Sequence, residues 1–298
     1  MKTEQNTELK KYTTFQIGGT APVICFPETE SELTEALEKY PEAIVLGNCS
    51  DVLFCSKGTD KPVILTTNMK NFRINGTKIT SDCGVKAPML SNAAAEEGLS
   101  GFEFMIGIPG TVGGMICMNA SAHGQSVSDY FVSCRVYDRI NRCVKTVPKK
   151  EMEFTYRNST VTKKQYIVLN AEFDLKHSDK EEIKNLMNRN LEFRKQKQPS
   201  LALPNAGSVF KNPENDSAGR LLEKSGVKSM IIGGAKVWEN HANFIVNIGQ
   251  ATSTDVLKLM KTMKDEVRDK YTIELCPEIK YIGNNDEEEN EIWKAIIG

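Results

Sequence analysis

Short apolar runs broken by polar turns fill the first part of the chain, and apolar positions at helical spacing recur further on. Residues 29–40 are predicted to form a helix: Leu33, Ala36 and Leu37 share a face, and Thr29 and Glu32 have capping-box spacing. Apolar strands are predicted beside it at 23–26 and 43–46, with another at 63–66, so this part reads as a small α/β unit. A second unit follows, with a strand at 77–82 and a helix at 88–97 opened by Pro88 and closed by Gly98. A glycine-dense stretch at 101–124 and strands at 131–137 and 166–175 complete it.

The strongest helical pattern begins near Asp179, where Ile183, Leu186, Met187, Asn190, Leu191 and Arg194 recur at helical spacing until Gln198-Pro199 stops it. The main domain boundary is placed here. Beyond it the pattern predicts a loop at 199–205, a strand at 208–211, a short helix opened by Ser217 and a strand around 241–248. A helix from about Thr254, with Val256, Met260, Met263 and Val267 on one face, and a strand at 273–281 complete the pattern. The expected division is 1–178 (lobes of about 1–67 and 68–178), 179–283, and an acidic tail at 284–298. The tail has two open readings: a flexible polar segment leading into a short docking helix around Ile292, Trp293 and Ile296, or a frayed terminus.

Composition narrows the function classes. The chain has 298 residues, 40% hydrophobic and 26% charged, enough for two domains or one large one. A net charge of −1 gives no electrostatic basis for nucleic acid or an anionic membrane as partner, although a local basic patch could hold a phosphorylated small molecule. The eight cysteines include no CxxC pair and there are three histidines, so no metal site is expected. Scattered thiols, no signal-peptide core and no apolar run near the roughly 18 residues needed to span a bilayer point to a cytoplasmic location. No obligate protein partner is indicated.

Five motifs carry candidate chemistry. Leu46-Gly47-Asn48-Cys49-Ser50-Asp51-Val52-Leu53 is a small-residue turn after a strand; it reads as a connecting loop or as a cradle for phosphate. Gly107-Ile108-Pro109-Gly110-Thr111-Val112-Gly113-Gly114 has five Gly or Pro in eight residues and runs on to Asn119-Ala120-Ser121-Ala122-His123-Gly124. It is neither a dinucleotide fingerprint nor a Walker A loop, and two such loops in one domain suggest a diphosphate held between them. Tyr156-Arg157-Asn158-Ser159 offers a guanidinium suited to a carboxylate or phosphate, or a surface Arg. Asn205-Ala206-Gly207-Ser208-Val209-Phe210-Lys211-Asn212-Pro213 places polar groups where a cleft could lie but is not a hydrolase nucleophile elbow. In Cys276-Pro277-Glu278-Ile279-Lys280, Glu278 is either catalytic or simply paired with Lys280.

In this order the motifs resemble the UDP-N-acetylenolpyruvoylglucosamine reductase (UDP-N-acetylmuramate dehydrogenase) family over about nine-tenths of the chain, from Tyr12-Thr13-Thr14-Phe15-Gln16-Ile17-Gly18-Gly19 to Ile279-Lys280-Tyr281-Ile282. The short run after Asn158-Ser159 is similar to the family's type II, which lacks an extra loop and an inserted βαββ element. The resemblance implies an α+β fold: a two-lobed FAD-binding domain of the vanillyl-alcohol-oxidase/PCMH type, then a C-terminal α+β substrate domain. It implies NADPH-dependent, FAD-mediated reduction of UDP-N-acetylenolpyruvoylglucosamine to UDP-N-acetylmuramate in peptidoglycan synthesis. Hydride would reach C3 of the enolpyruvyl group, and a proton would reach C2 of the enolate-like intermediate.

Residue by residue, Arg157 would polarise the substrate carboxylate, Glu278 would assist, and Ser208 would deliver the proton, with Lys211 lowering its cost. Gly47, Asn48, Cys49, Ser50 and Asp51, with Pro109, Gly110, Thr111, Gly113, Gly114 and Asn119, would hold the flavin. Tyr156, Lys211, Asn212 and Asn243 fall on the substrate side, and Lys228 and Lys236 are further positions for UDP. The chain departs from the family pattern where Gly-Gly-Gly-Ser-Asn becomes Gly47-Asn48-Cys49-Ser50-Asp51, where a usual Tyr is His123, and at Gln16, where a basic residue is common. Two glycines are lost in the first of these, so those backbone angles must suit Asn and Cys. The alternatives are a flavin-dependent alcohol oxidase of the same fold and a non-catalytic flavin or nucleotide-sugar binding relative.

Overall fold

The computed structural model describes residues 1–200, 202–283 and 286–298. They pack as two compact units: 1–4, 24–48 and 62–194 in the first, 5–23, 49–61 and 195–298 in the second.

In the first unit the helix Glu30–Lys39 buries Leu33, Ala36 and Leu37. Only half of the expected capping box forms. Thr29 accepts the Glu32 amide at 3.2 Å, while the Glu32 carboxylate turns to the Glu28 amide and the N-terminal ammonium. Ile24 and Cys25 pair in parallel with Val63 and Ile64, and Val63–Leu65 pairs in parallel with Ile44–Leu46. A five-stranded antiparallel sheet follows in the order Cys143–Pro148, Phe131–Asp138, Tyr166–Asp174, Lys78–Asp82, Phe72–Asn75. Its two edge strands were not predicted, because an edge can carry polar residues on both faces and shows no clean alternation. The helix Ala87–Glu96 has Pro88 in its first turn, and Gly98 beyond it has φ +69°. The glycine-dense stretch holds a short helix, Val112–Cys117.

The long helix Lys180–Lys197 buries Ile183 and Met187 against Ala95 and Ile106. Its apolar face therefore belongs to the first unit, and the division falls at 194/195, in its last turns, not at 178/179. The second unit also takes in 5–23 and 49–61, because Val52–Phe54 pairs in parallel with Lys280–Ile282 and Phe15, Ile17 and Leu53 join its core.

That core lies between an antiparallel sheet (Asn205–Ser208, Phe244–Asn247, Ala235–Val237, Ile231–Ile232) and the helices Ala218–Ser225 and Ser253–Tyr271. Val256, Met260, Met263 and Val267 are fully buried, as their spacing predicts. The strand expected at 208–211 ends at Ser208, because Gly207 takes φ +74° and breaks the register. The strand expected at 273–281 is confined to Lys280–Ile282, preceded by a single bridge between Phe210 and Pro277. Of the acidic tail, residues 284 and 285 lie outside the described residues. From Asp286 the chain is ordered as an N-cap and a helix, Glu287–Ile297, which packs within the second unit and is not a separate tail.

Candidate active site

In the first unit, the loop after strand Ile44–Leu46 meets the glycine-dense stretch. A Cβ added to Gly47 would lie 2.0 Å from Thr111 Oγ1 and 3.1 Å from Thr111 Cβ, so only glycine permits this approach. Asn48 Nδ2 donates to the Pro109 carbonyl at 2.7 Å and ties the two loops together. The Thr111 hydroxyl is buried and has no hydrogen-bond partner among the described residues. A buried orphan hydroxyl costs about 1–3 kcal/mol, so its persistence beside a glycine-lined approach fits a ligand that accepts from it. FAD, with its diphosphate and ribityl oxygens, suits this arrangement.

The glycines of the stretch do different things. Gly113 donates its amide to the Cys83 carbonyl at 2.8 Å, and a Cβ there would stand 3.1 Å from Cys83 Cβ. Its lack of a side chain is explained by packing. Gly110 and Gly114 have space around them: an added Cβ would make only ordinary contacts, and Gly114 is exposed. Asn119 sits at φ +41° and uses its amide on backbone, donating to the Thr155 carbonyl and accepting from the Ser128 amide. It positions the next motif.

That motif is a tight turn. Thr155 and Asn158 exchange backbone hydrogen bonds, and Tyr156 and Arg157 form its tip. Arg157 has φ +55°, a conformation costing roughly 1–3 kcal/mol for a residue with a side chain, and the Thr155–Asn158 hydrogen bonds hold it there. Its guanidinium donates to Ser121 Oγ at 2.8 Å and lies 5.0 Å from the centre of the half-exposed Tyr156 ring. Ser159, fully buried, donates to the Cys117 carbonyl and anchors the turn to the helix Val112–Cys117. Ser121, which holds the guanidinium, stands where the family that the motifs resemble usually has glycine.

In the second unit, Ser208 directly follows the left-handed Gly207, and Asn205 Oδ1 accepts the Gly207 amide at 3.0 Å. The next residue, Val209, accepts the Glu278 amide at 2.8 Å, and Lys211 donates its amide to Cys276 at 2.9 Å. Ser208, Lys211 and Glu278, all half-buried, thus lie on two neighbouring segments. Asn212 accepts the Ala218 amide at 3.0 Å, in the first turn of the helix Ala218–Ser225, which Ser217 caps. Asn243 is spent on the backbone of its own unit. It is 3% exposed, and its amide clamps the Phe210 backbone, accepting from N–H at 2.9 Å and donating to the carbonyl at 2.8 Å. Lys228 and Lys236 each pair with a carboxylate, of Glu223 and Glu239.

The first flavin loop divides between the units at 48/49. Cys49 adopts φ +49°, in the left-handed region, and its side chain is buried, with the thiol pushed up to about 12 by burial and, less, by Asp51. Its side chain is packed into the protein. The Asp51 carbonyl accepts the Lys280 amide at 2.9 Å, and the Ser50 carbonyl lies near Gly207. Thr14 escaped the sequence reading: its hydroxyl donates to the Asn205 carbonyl at 2.7 Å and its oxygen lies 3.3 Å from the Cys49 carbonyl, so it ties both loops. Only its place in the N-terminal motif hinted at this.

Comparisons with known proteins show the family. Residues 21–146 match the family described as FAD binding domain, and residues 198–282 match the C-terminal domain of UDP-N-acetylenolpyruvoylglucosamine reductase. The chain is 43% identical to the UDP-N-acetylenolpyruvoylglucosamine reductase of Caldicellulosiruptor bescii over 92% of its length and 89% of that protein's. It is 37% identical to that of Bacillus subtilis, over 94% of both chains. A crystal structure of the reductase from Thermus caldophilus superposes with a TM-score of 0.83 at 34% identity, covering 95% of this chain and all of that one.

Proposed function

Because the chain belongs to the UDP-N-acetylenolpyruvoylglucosamine reductase family and contains its FAD-binding domain, we propose that it reduces UDP-N-acetylenolpyruvoylglucosamine to UDP-N-acetylmuramate with NADPH, in the cytoplasm, for peptidoglycan synthesis. As a member it is an oxidoreductase with FAD as cofactor. The observation that carries the reading is the placement of Ser208, Lys211 and Glu278 on two hydrogen-bonded neighbouring segments.

FAD, once reduced by NADPH, supplies the hydride. Gly47, Asn48, Pro109, Gly110 and Thr111 are proposed to hold it. Arg157, preset by its turn, engages the enolpyruvyl carboxylate as a planar two-pronged donor. Glu278 assists in stabilising the charge that develops there. Ser208 gives its proton to C2. A hydroxyl is a weak acid in water, but C2 of the enolate-like intermediate is a strong base, and Lys211 stabilises the alkoxide left behind. Tyr156 and Asn212 remain on the substrate side in this reading; Asn243 moves to a supporting role.

The purified protein is expected to be yellow, and UDP-N-acetylenolpyruvoylglucosamine should drive NADPH oxidation in its presence. A folded, colourless sample that fails to oxidise NADPH refutes the reading. Thr111→Val is expected to weaken FAD binding about two- to tenfold, through loss of one hydrogen bond worth roughly 0.5–1.5 kcal/mol. The same change should leave the apoprotein as stable or slightly more stable, because an orphaned hydroxyl disappears. Flavin titration and melting of the apoprotein check both halves.

No helix among the described residues is long and apolar enough to cross a membrane.

A further inference from the structure

The family match ends at residue 282, yet the chain continues into the helix Glu287–Ile297, N-capped by Asp286. This helix is built into the second unit. Ile296 is fully buried, and Lys264, 6% exposed, donates to the Ile296 carbonyl at 2.8 Å. The carboxylate of Glu289 is buried at 1% exposure. Its Oε1 accepts from Ser253 Oγ at 2.6 Å and Thr254 Oγ1 at 2.5 Å, and its Oε2 accepts from the Tyr281 hydroxyl at 2.7 Å. The Trp293 ring packs 5.7 Å from that of Tyr281. Cys55, Asp286 and Glu289 lie close enough to share a cation, but Lys57 and the three hydroxyls already satisfy the two carboxylates.

Tyr281 follows Glu278 by three residues. The intervening backbone is tied on two sides, from the Glu278 amide to Val209 at 2.8 Å and from the Lys280 amide to Asp51 at 2.9 Å. Ile279 between them is buried in the core. The far end, Lys280–Ile282, is held as backbone by its pairing with Val52–Phe54, and the bond from Tyr281 to Glu289 adds a side-chain anchor there. Burial, followed by the Glu289 carboxylate, pushes the Tyr281 hydroxyl well above its ordinary value, so it stays a donor.

We infer that Glu289 is a positioning residue for the reduction: acting through the Tyr281 hydroxyl, it fixes the segment that presents Glu278. This rests on the reading of the chain as a reductase. Displacing a reacting group by about 1 Å can cost up to a hundredfold in rate, and a single lost hydrogen bond is a milder disturbance.

The test separates the two half-reactions by stopped flow. Tyr281→Phe is expected to slow flavin reoxidation by UDP-N-acetylenolpyruvoylglucosamine about tenfold, with flavin content and reduction by NADPH as in the wild type. Glu289→Leu should slow reoxidation at least as much. Glu289→Gln, which keeps an acceptor for Ser253 and Thr254 and offers its amide to the Tyr281 oxygen, should remain within about twofold of wild type. With an active wild type, unchanged reoxidation in both Tyr281→Phe and Glu289→Leu overturns the inference, as does equal slowing of both half-reactions. A folded wild type inactive in both half-reactions overturns the functional reading first, and the inference with it.

Discussion

Ser208→Ala is expected to slow reoxidation of the reduced flavin by the enolpyruvyl substrate by a factor of about 10²–10⁴, the usual contribution of a positioned proton donor. Reduction by NADPH should proceed at the wild-type rate. The split follows from the chemistry: transfer of hydride to the flavin needs no proton at C2, and reduction of the substrate does. The substitution is small. The local backbone is set by Gly207 at φ +74° and by Asn205, which accepts the Gly207 amide, and neither changes. Rapid mixing of prereduced enzyme with substrate measures one step, and mixing of oxidised enzyme with NADPH measures the other. Equal losses in the two steps would sink the proton-donor role and leave Ser208 a merely structural residue.

Gly47→Ala should give a protein that retains little or no flavin. The new methyl would sit 2.0 Å from Thr111 Oγ1 and 3.2 Å from Thr111 Cγ2, and Thr111 is 1% exposed, so its side chain has little room to turn aside. Overpacking of this kind costs about 1–3 kcal/mol. The strain falls on the junction between the Asn48 side chain and the Pro109 carbonyl, where the flavin is proposed to lie. Loss of more than about 1.4 kcal/mol of binding is at least a tenfold loss of affinity. Flavin absorbance per protein and the melting temperature read the two effects. Adding Thr111→Ala removes the 2.0 Å contact and should recover part of the melting temperature without restoring flavin. A fully yellow Gly47→Ala protein with wild-type melting would remove this loop from the cofactor site.

The elements with strong periodicity were legible in the sequence. The four apolar positions from Val256 to Val267 lie on one buried helix face, and the helix Ala87–Glu96 follows the Pro88 and Gly98 signals. What failed depended on partners distant in sequence. The helix from Lys180 looked like the start of a new domain, but whether Ile183 and Met187 face forwards or back is decided by Ala95 and Ile106. Glu289 read as one charge in a solvated acidic tail, since burial of a carboxylate depends on donors such as Ser253 and Thr254 that local sequence cannot supply. In the candidate site, residue types were legible and orientations were not. Asn243 is the type that binds a nucleotide, but its amide is spent on Phe210. The positive φ of Arg157 left no trace in Tyr156-Arg157-Asn158-Ser159 beyond the Asn.

The interleaving of the two units has a consequence for biosynthesis. The second unit gathers 5–23 and 49–61 with 195–298, so it cannot close until nearly the whole chain has been made. Val52 must wait for Lys280, roughly 230 residues later, which at about 5–20 residues per second is some 10–50 s on a bacterial or eukaryotic ribosome. During that interval the apolar segment Val52–Phe54 has no strand to pair with and is a target for chaperones and for misassembly. Neither unit can be cut out as one continuous fragment, so separate expression of either would require circular permutation or rejoined segments.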